Sequence, residues 1–386
     1  MILYISVTVI TIILAYMYHA KDGYTAAGNT GAPIFSHGAS LSRAEHFQRL
    51  CLLSIFVILF AVSACRINVG NDYGTYVEFM HRLYTDKYIA DAGVPTEWGF
   101  NLLARIIYAL SGGENFLLVF AIYAFVTVAF FIIAMREQSV DFGLSFLLFM
   151  TYGYYFQSFS TVRYYMALAI ALYCMKLVNE RRWISFILLV LIGSGFHKSL
   201  LVILPLYWLA SLAWKKWMIA LGAAACVSCL FLKDLYMKVL VVLYPSYEGT
   251  EYLAGSGFSW INIIRCTAVL ALSLYCFRDV VADSRTGRFF FNLNVGALAL
   301  YVFGSFLPIV SRIGYYLTVS HILFVPMLIH AIPSRKIRRA VYIALVAVSV
   351  LYFAVYLHKA YDDGVLVLPY RTFFFHDMVD TLSDVM

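Results

Sequence analysis

The chain has 386 residues, of which 63% are hydrophobic and 13% charged, with a formal net charge of +7. A soluble domain is about half apolar and about a quarter charged, so this composition excludes a cytosolic enzyme and a disordered tail. It also excludes a nucleic-acid binder, because no basic patch is dense enough to track a phosphate backbone.

The expected solvent is lipid. Apolar runs predict spans near 2–19, 48–65, 115–135, 142–159, 161–178, 183–197, 198–213, 216–232, 260–277, 289–308, 312–332 and 340–357, each close to the about 20 residues that a crossing takes. The first is not a signal peptide, since no positive residue precedes its apolar core and Lys21 follows it. The stretch 20–47, rich in Gly, Ala and Ser, reads as a flexible inner loop. Segment 97–111 is apolar but holds Asn101 and Arg105, and the basic residues decide its status. If it does not cross, Arg181, Arg182, Lys215, Lys216 and the cluster from Arg335 to Arg339 all face the inside, with more than half of the 28 basic residues. If it crosses, they all end up outside, against the positive-inside rule. Segment 97–111 is therefore expected to be re-entrant or interfacial. The expected fold is all-α: one polytopic integral membrane domain over 1–386, with about twelve spans. Both termini lie outside, as do loops 66–97 and 233–259 and the tail 358–386.

Orientation accounts for most basic residues but not for Arg66, Arg163, Lys198, Arg265 and Arg312, which fall at or just inside the outer ends of spans. A charge at the hydrocarbon centre costs at least ~2.5–3.5 kcal/mol, and snorkelling to the interface is the plain explanation for any one of them. Four arginines on one face call for more. A guanidinium is a planar fork that grips phosphate and pyrophosphate in two places. Two carboxylates lie nearby in sequence. Asp72 follows Arg66 and Gly70, a glycine that allows a tight turn back towards the bilayer, and Glu97 opens segment 97–111. Each is a candidate general base or hydroxyl acceptor, and each is equally a candidate ion-pair partner for a nearby arginine. His197 ends a span at the outer face, either as a third base or as an interfacial histidine bonded to backbone. Tyrosine is abundant, with 30 residues, and much of it suits the interfacial belts. The runs around Tyr154, Tyr164 and Tyr315 are denser than a belt needs and suit sugar rings.

Other chemistries lack support. The seven cysteines lie in or at the ends of spans, and the spacing of Cys226 and Cys229 on an apolar helix has no further ligand beside it. No Walker loop, nucleophile elbow or zincin motif is present, and neither a metal nor a cofactor is expected.

The stretch Arg66…Gly70-x-Asp72-Tyr73…Tyr76 resembles the signature of the EpsG-like proteins of bacterial exopolysaccharide and O-antigen clusters, relatives in role of the Wzy polymerases. Glu97-x-Gly99-Phe100, Val162-Arg163-x-x-x-Ala167, Phe196-His197-x-Ser199, Arg312-x-x-Tyr315 and Pro369-Tyr370-Arg371 follow in the family's order. The chain departs from the pattern at Tyr164, where the family usually has Gln. The resemblance implies a GT-C-like membrane glycosyltransferase of the bacterial inner membrane. It would pass a glycan from undecaprenyl pyrophosphate to a hydroxyl of the next lipid-linked repeat. A chain-length regulator would be a further partner. Arg163 and Arg312 would clamp the pyrophosphate, supported by Arg66 and Arg265. Tyr73, Tyr164, Tyr315, Tyr370 and Arg371 would line the substrate, and Asp72, Glu97 or His197 would serve the acceptor hydroxyl. Three other classes stay open: a flippase for the same lipid-linked glycan, a membrane O-acyltransferase, and a non-catalytic synthase subunit.

Overall fold

A computed structural model describes residues 1–19, 43–243, 257–307, 310–362 and 365–376. Most of the stretch 20–47 expected to be a flexible inner loop, the middle of the outer loop 233–259 and the end of the tail lie outside them. Among the described residues the chain is all-helical, and the one extended pairing is a single antiparallel bridge between Arg66 and Thr372. The helices in chain order are α1 (Ile2–His19), α2 (Arg43–Ala64), α3 (Tyr73–Thr85), α4 (Trp98–Ser111), α5 (Phe116–Gln138), α6 (Phe142–Thr151), the single turn α7 (Tyr154–Gln157), α8 (Val162–Asn179) and α9 (Trp183–Ser194). They continue as α10 (Ile203–Ser211), α11 (Lys216–Phe231), α12 (Lys233–Leu243), α13 (Trp260–Tyr275), α14 (Arg285–Phe303), α15 (Val310–Thr318), α16 (His321–Ala331) and α17 (Arg335–Lys359).

The chain packs as two compact units. The first comprises Met1–Lys176, Leu188–Leu200 and Ser334–Met386, and the second Leu177–Ile187 and Leu201–Pro333. In the first unit every residue of α6 is buried. Its first turn is held by Asp141, whose Oδ1 accepts from the Leu144 N–H at 2.9 Å and so meets one of the donors a helix start leaves open. The outward faces of other helices are apolar instead: Ile184 on α9 and Leu351 on α17 are exposed, and α11 has no buried residue. Outward apolar side chains on helices whose backbone groups are bonded internally are the arrangement that lipid requires and water penalises. This is a membrane protein.

Among the described residues, length and hydropathy together qualify three helical stretches for a crossing, Glu45–Ala64, Phe116–Gln138 and Arg335–Lys359; counting the bent pairs α11–α12 and α15–α16 as single spans makes five. Several runs that read as continuous spans are interrupted. The expected span 142–159 breaks after α6, where Gly153 adopts a left-handed φ of +79° and starts a new turn. The run 260–277 ends in a π-helical turn over Phe277–Ala282. The run 198–213 begins as a 3₁₀ helix, Lys198–Val202.

The expected outer loop 66–97 contains α3, which lies beside α4. Tyr76 sits against Phe100 (ring centroids 6.0 Å apart) and Tyr84 against Tyr108 (5.6 Å). Both pairs are separated by the same number of residues, so the two helices run parallel and in register. α4 is about 21 Å long at 1.5 Å per residue, short of the about 30 Å hydrocarbon layer. Its exposed residues Trp98, Leu102, Ile106 and Leu110 form one stripe at i, i+4 spacing, while Phe100, Ala104, Ile107 and Tyr108 are buried on the opposite side. One apolar face outward and one packed inward makes α4 an amphipathic helix against the first unit.

Candidate active site

The segment between α2 and α3 is shaped by Gly70. Its φ is +105°, and a Cβ there would lie 2.3 Å from the Phe159 carbonyl oxygen, so both the backbone angle and the close approach require glycine. The anticipated tight turn is present, and it delivers Asp72, half-buried, to the start of α3. Residues 365–373 clamp the segment from outside. Gly70 N–H donates to Leu366 O (2.8 Å), Ile67 N–H to Arg371 O (3.1 Å) and Phe373 N–H to Cys65 O (3.2 Å). Tyr370 donates its hydroxyl to Val62 O (3.0 Å). Tyr370 and Arg371 thus sit beside the Arg66 segment, through backbone pairing that sequence distance hides.

Arg66 itself is sealed, at 1% exposure. Its Nη1 donates to the carbonyl and hydroxyl oxygens of Ser63, and its guanidinium lies 5.4 Å from the Phe120 ring and 4.9 Å from the Phe159 ring. Tyr73 is buried with it, stacked on Phe120 at 4.5 Å. Arg66, expected to support the pyrophosphate clamp, and Tyr73, expected to line the substrate, are both enclosed here and form the wall behind the loop that presents Asp72.

A second group of predicted residues does meet. Gly99 N–H donates to Gly195 O at 2.7 Å, and a Cβ on Gly99 would lie 2.6 Å from that oxygen, so the start of α4 docks against the turn after α9. This brings Glu97 to Phe196-His197-Lys198. Glu97 Oε2 accepts from Arg163 Nη1 in an ion pair, Oε1 accepts from the Lys198 N–H at 3.0 Å, and His197 Nδ1 lies 3.5 Å from Oε1. The three side chains are each 14% exposed. The Arg163 guanidinium lies 5.4 Å from the ring of Tyr76 and 5.5 Å from that of Phe100. Tyr164 stands edge-on to His197 at 5.6 Å, so the residue that departs from the family pattern still faces the cluster.

Burial opposes the ionisation of Glu97, but the hydrogen bond with His197 and the charge of Arg163 outweigh it and lower its pKa to about 2. Tyr76 in the first turn of α3 meets Arg163 in the first turn of α8, which in turn pairs with Glu97, the residue that precedes α4; helix starts carry partial positive charge.

Arg265, Arg312 and Tyr315 belong to the second unit. Arg265 Nη2 there donates to Asn262 Oδ1 (2.9 Å) and Thr318 Oγ1 (3.1 Å), and Arg312 and Tyr315 lie on α15. The same unit buries His321, whose Nε2 is 2.8 Å from Asn294 Oδ1. Sequence reasoning passed over that pair and over Tyr76 as a partner of Arg163. The signals were a histidine inside an apolar run and a tyrosine one turn after Tyr73.

Comparisons with curated proteins and with solved structures each return no match. The family model described as "EpsG family" matches residues 49–372, a range that contains every residue of the cluster and all but the last residues of the clamp around Gly70. That match takes in most of the chain, which belongs to the EpsG family.

Proposed function

We propose that the protein is a membrane polysaccharide polymerase that uses a glycan carried on undecaprenyl pyrophosphate, at the outer face of the bacterial inner membrane. The reading includes a GT-C-like scaffold of about twelve crossings with both termini outside, supported by the positive-inside distribution of basic residues. The observation that carries it is the cluster of Arg163, Glu97 and His197 at the meeting point of helix starts, beside the outward apolar stripe of α4.

In the reaction an acceptor hydroxyl attacks the anomeric carbon of the donor glycan, the bond to the pyrophosphate oxygen breaks, and negative charge builds on the leaving group. Arg163 is the group assigned to take this charge, because it combines a fork geometry, partial exposure and a position in the first turn of α8 beside Glu97. Glu97 is a weak base, since its proton affinity is spent on Arg163 and His197. It serves by aiming the guanidinium. Asp72, half-exposed on the loop fixed by Gly70, is the better acceptor for the hydroxyl proton. Arg265 and Arg312 in the second unit are assigned to pyrophosphate binding by the family resemblance alone.

The test uses purified protein and a lipid-linked repeat unit, without nucleotide sugar or acyl donor. Lengthening of the lipid-linked glycan supports the reading. Movement of the unlengthened lipid across a liposome membrane would instead assign a flippase, and modification of the glycan only after an acyl donor is added would assign an acyltransferase.

A further inference from the structure

The parallel pair α3–α4 carries a second feature at its other end. A cleft of 430 Å³ opens there, lined by Leu83, Tyr84, Arg105, Tyr108, Gly112 and Gly113 among others. Arg105 and Tyr108 are eight and eleven residues beyond Glu97 on the chain, so the cleft begins about 12–17 Å along α4 from the cluster. None of its lining residues takes part in the cluster.

Two polar groups on its wall lack partners. Tyr108 is 5% exposed, and its hydroxyl has no hydrogen-bond partner among the described residues. Arg105 spends Nη2 on the Asp86 carbonyl oxygen, while its Nε is enclosed with no acceptor among the described residues. Native chains pair nearly all buried polar groups, and unpaired ones mark an absent ligand or water. The rest of the wall narrows the ligand. Tyr84 is exposed and meets Tyr108 edge-on, which gives the cleft aromatic surface next to a guanidinium. Gly112 and Gly113 leave space, since a Cβ on either would meet nothing within 4 Å. An acyl chain gains little from such a wall, whose only aliphatic members are Leu83 and Ala109. A sugar ring fits its chemistry: its C–H face packs on tyrosine, and its hydroxyls can accept from Arg105 and donate to or accept from Tyr108. The volume lies within the usual range for small-ligand sites, about 300–1,000 Å³.

The geometry points to a glycan-holding subsite in this cleft, one that binds a sugar unit of the chain a short distance from the reacting end. As an inference about polymerisation it rests on the proposed function; as a statement about sugar binding it does not. In the polymerase, such a grip keeps the chain attached between additions along the membrane surface, so it sets length rather than the chemical step.

Gly113→Phe is the discriminating variant. Gly113 has no left-handed φ, so a side chain there enters the cleft without straining the backbone. Tyr108→Phe removes only the hydroxyl, and Gly113→Ala with the melting temperature controls for folding. Saturation-transfer NMR is run on the full-length protein in detergent with free glucose, galactose, N-acetylglucosamine, glucuronic acid and maltose. Transfer to at least one sugar is expected, weakened in Tyr108→Phe, lost in Gly113→Phe and retained in Arg163→Gln. In cells, Gly113→Phe should shorten the polymer while repeat units are still joined. No transfer to any of the five sugars, or transfer unchanged in a folded Gly113→Phe, overturns the subsite. Sugar transfer that depends on Gly113, in a protein that joins no repeats, would uphold the subsite and fail the polymerase reading.

Discussion

Arg66 and Arg163 look alike in the sequence. Both sit at the outer end of an apolar run, and both fall in segments that resemble family motifs. The structure gives them different surroundings. Arg66 is sealed between two phenylalanine rings and bonds the helix it follows. Arg163 keeps a partly open face, pairs with a carboxylate, and lies on the first turn of α8. Residue type says what a side chain can bind. Enclosure says whether anything can reach it, and for arginine at a membrane boundary the second decides between wall and site.

The contrast is broken most directly by activity. Arg163→Gln should lower the polymerisation rate per folded protein by about 10²–10³-fold, the usual cost of losing one donor to a developing anion, beyond the fall in melting temperature that breaking the Arg163–Glu97 pair brings. Arg163→Lys should fail almost as badly, because an ammonium lacks the fork. If either variant makes polymer at the normal rate, Arg163 is wall as well. Asp72→Asn should cost about 10²-fold or more in turnover of lipid-linked repeats, in line with loss of a general base. An unchanged rate moves that task to His197.

Arg66→Gln should show the reverse pattern. Loss of its charged hydrogen bonds costs about 1.5–3 kcal/mol of stability, so yield and melting temperature should fall first and activity only in proportion to folded protein. A rate loss in fully folded Arg66→Gln would return Arg66 to the site. A stability effect of similar size concerns Glu97. Its carboxyl titrates at about 2 in the folded chain against about 4.3 for an unperturbed glutamate. Its contribution, of order 3 kcal/mol by linkage, is therefore complete above the unperturbed value and lost as pH falls towards 2. Thermal melts of wild type and Glu97→Gln should differ at pH 7 and converge below about pH 4. A constant gap would mean that the Arg163–Glu97 pair does not form.

Much of the site was legible because it rests on local chemistry. Gly70 between Arg66 and Asp72 specified a tight turn, and Glu97 was a candidate partner for an arginine, as it proved to be for Arg163. Three things were not legible. Helix α3 has a polar face with Glu78 and Arg82, so a search for long apolar runs read it as loop. The breaks at Gly153 and Phe277–Ala282 fall inside runs whose hydropathy continues across them, and hydropathy does not report backbone angle. The docking of Gly99 on Gly195 and the pairing of residues 365–373 with 65–71 join distant stretches with no periodic signal at either end.

That last pairing has a consequence for how the protein is made. The loop bearing Asp72 takes its outer hydrogen bonds from residues that the ribosome adds about three hundred positions later, as the Tyr370–Val62 contact, 308 residues apart, illustrates. Until then Gly70 and Ile67 lack these acceptors, and the loop is held by contacts with earlier residues, such as the Asn71 N–H on Ser160 Oγ at 3.1 Å. Completion of this loop thereby waits for residues 365–373 to be made, and a chain released before residue 365 would leave Gly70 and Ile67 without these partners.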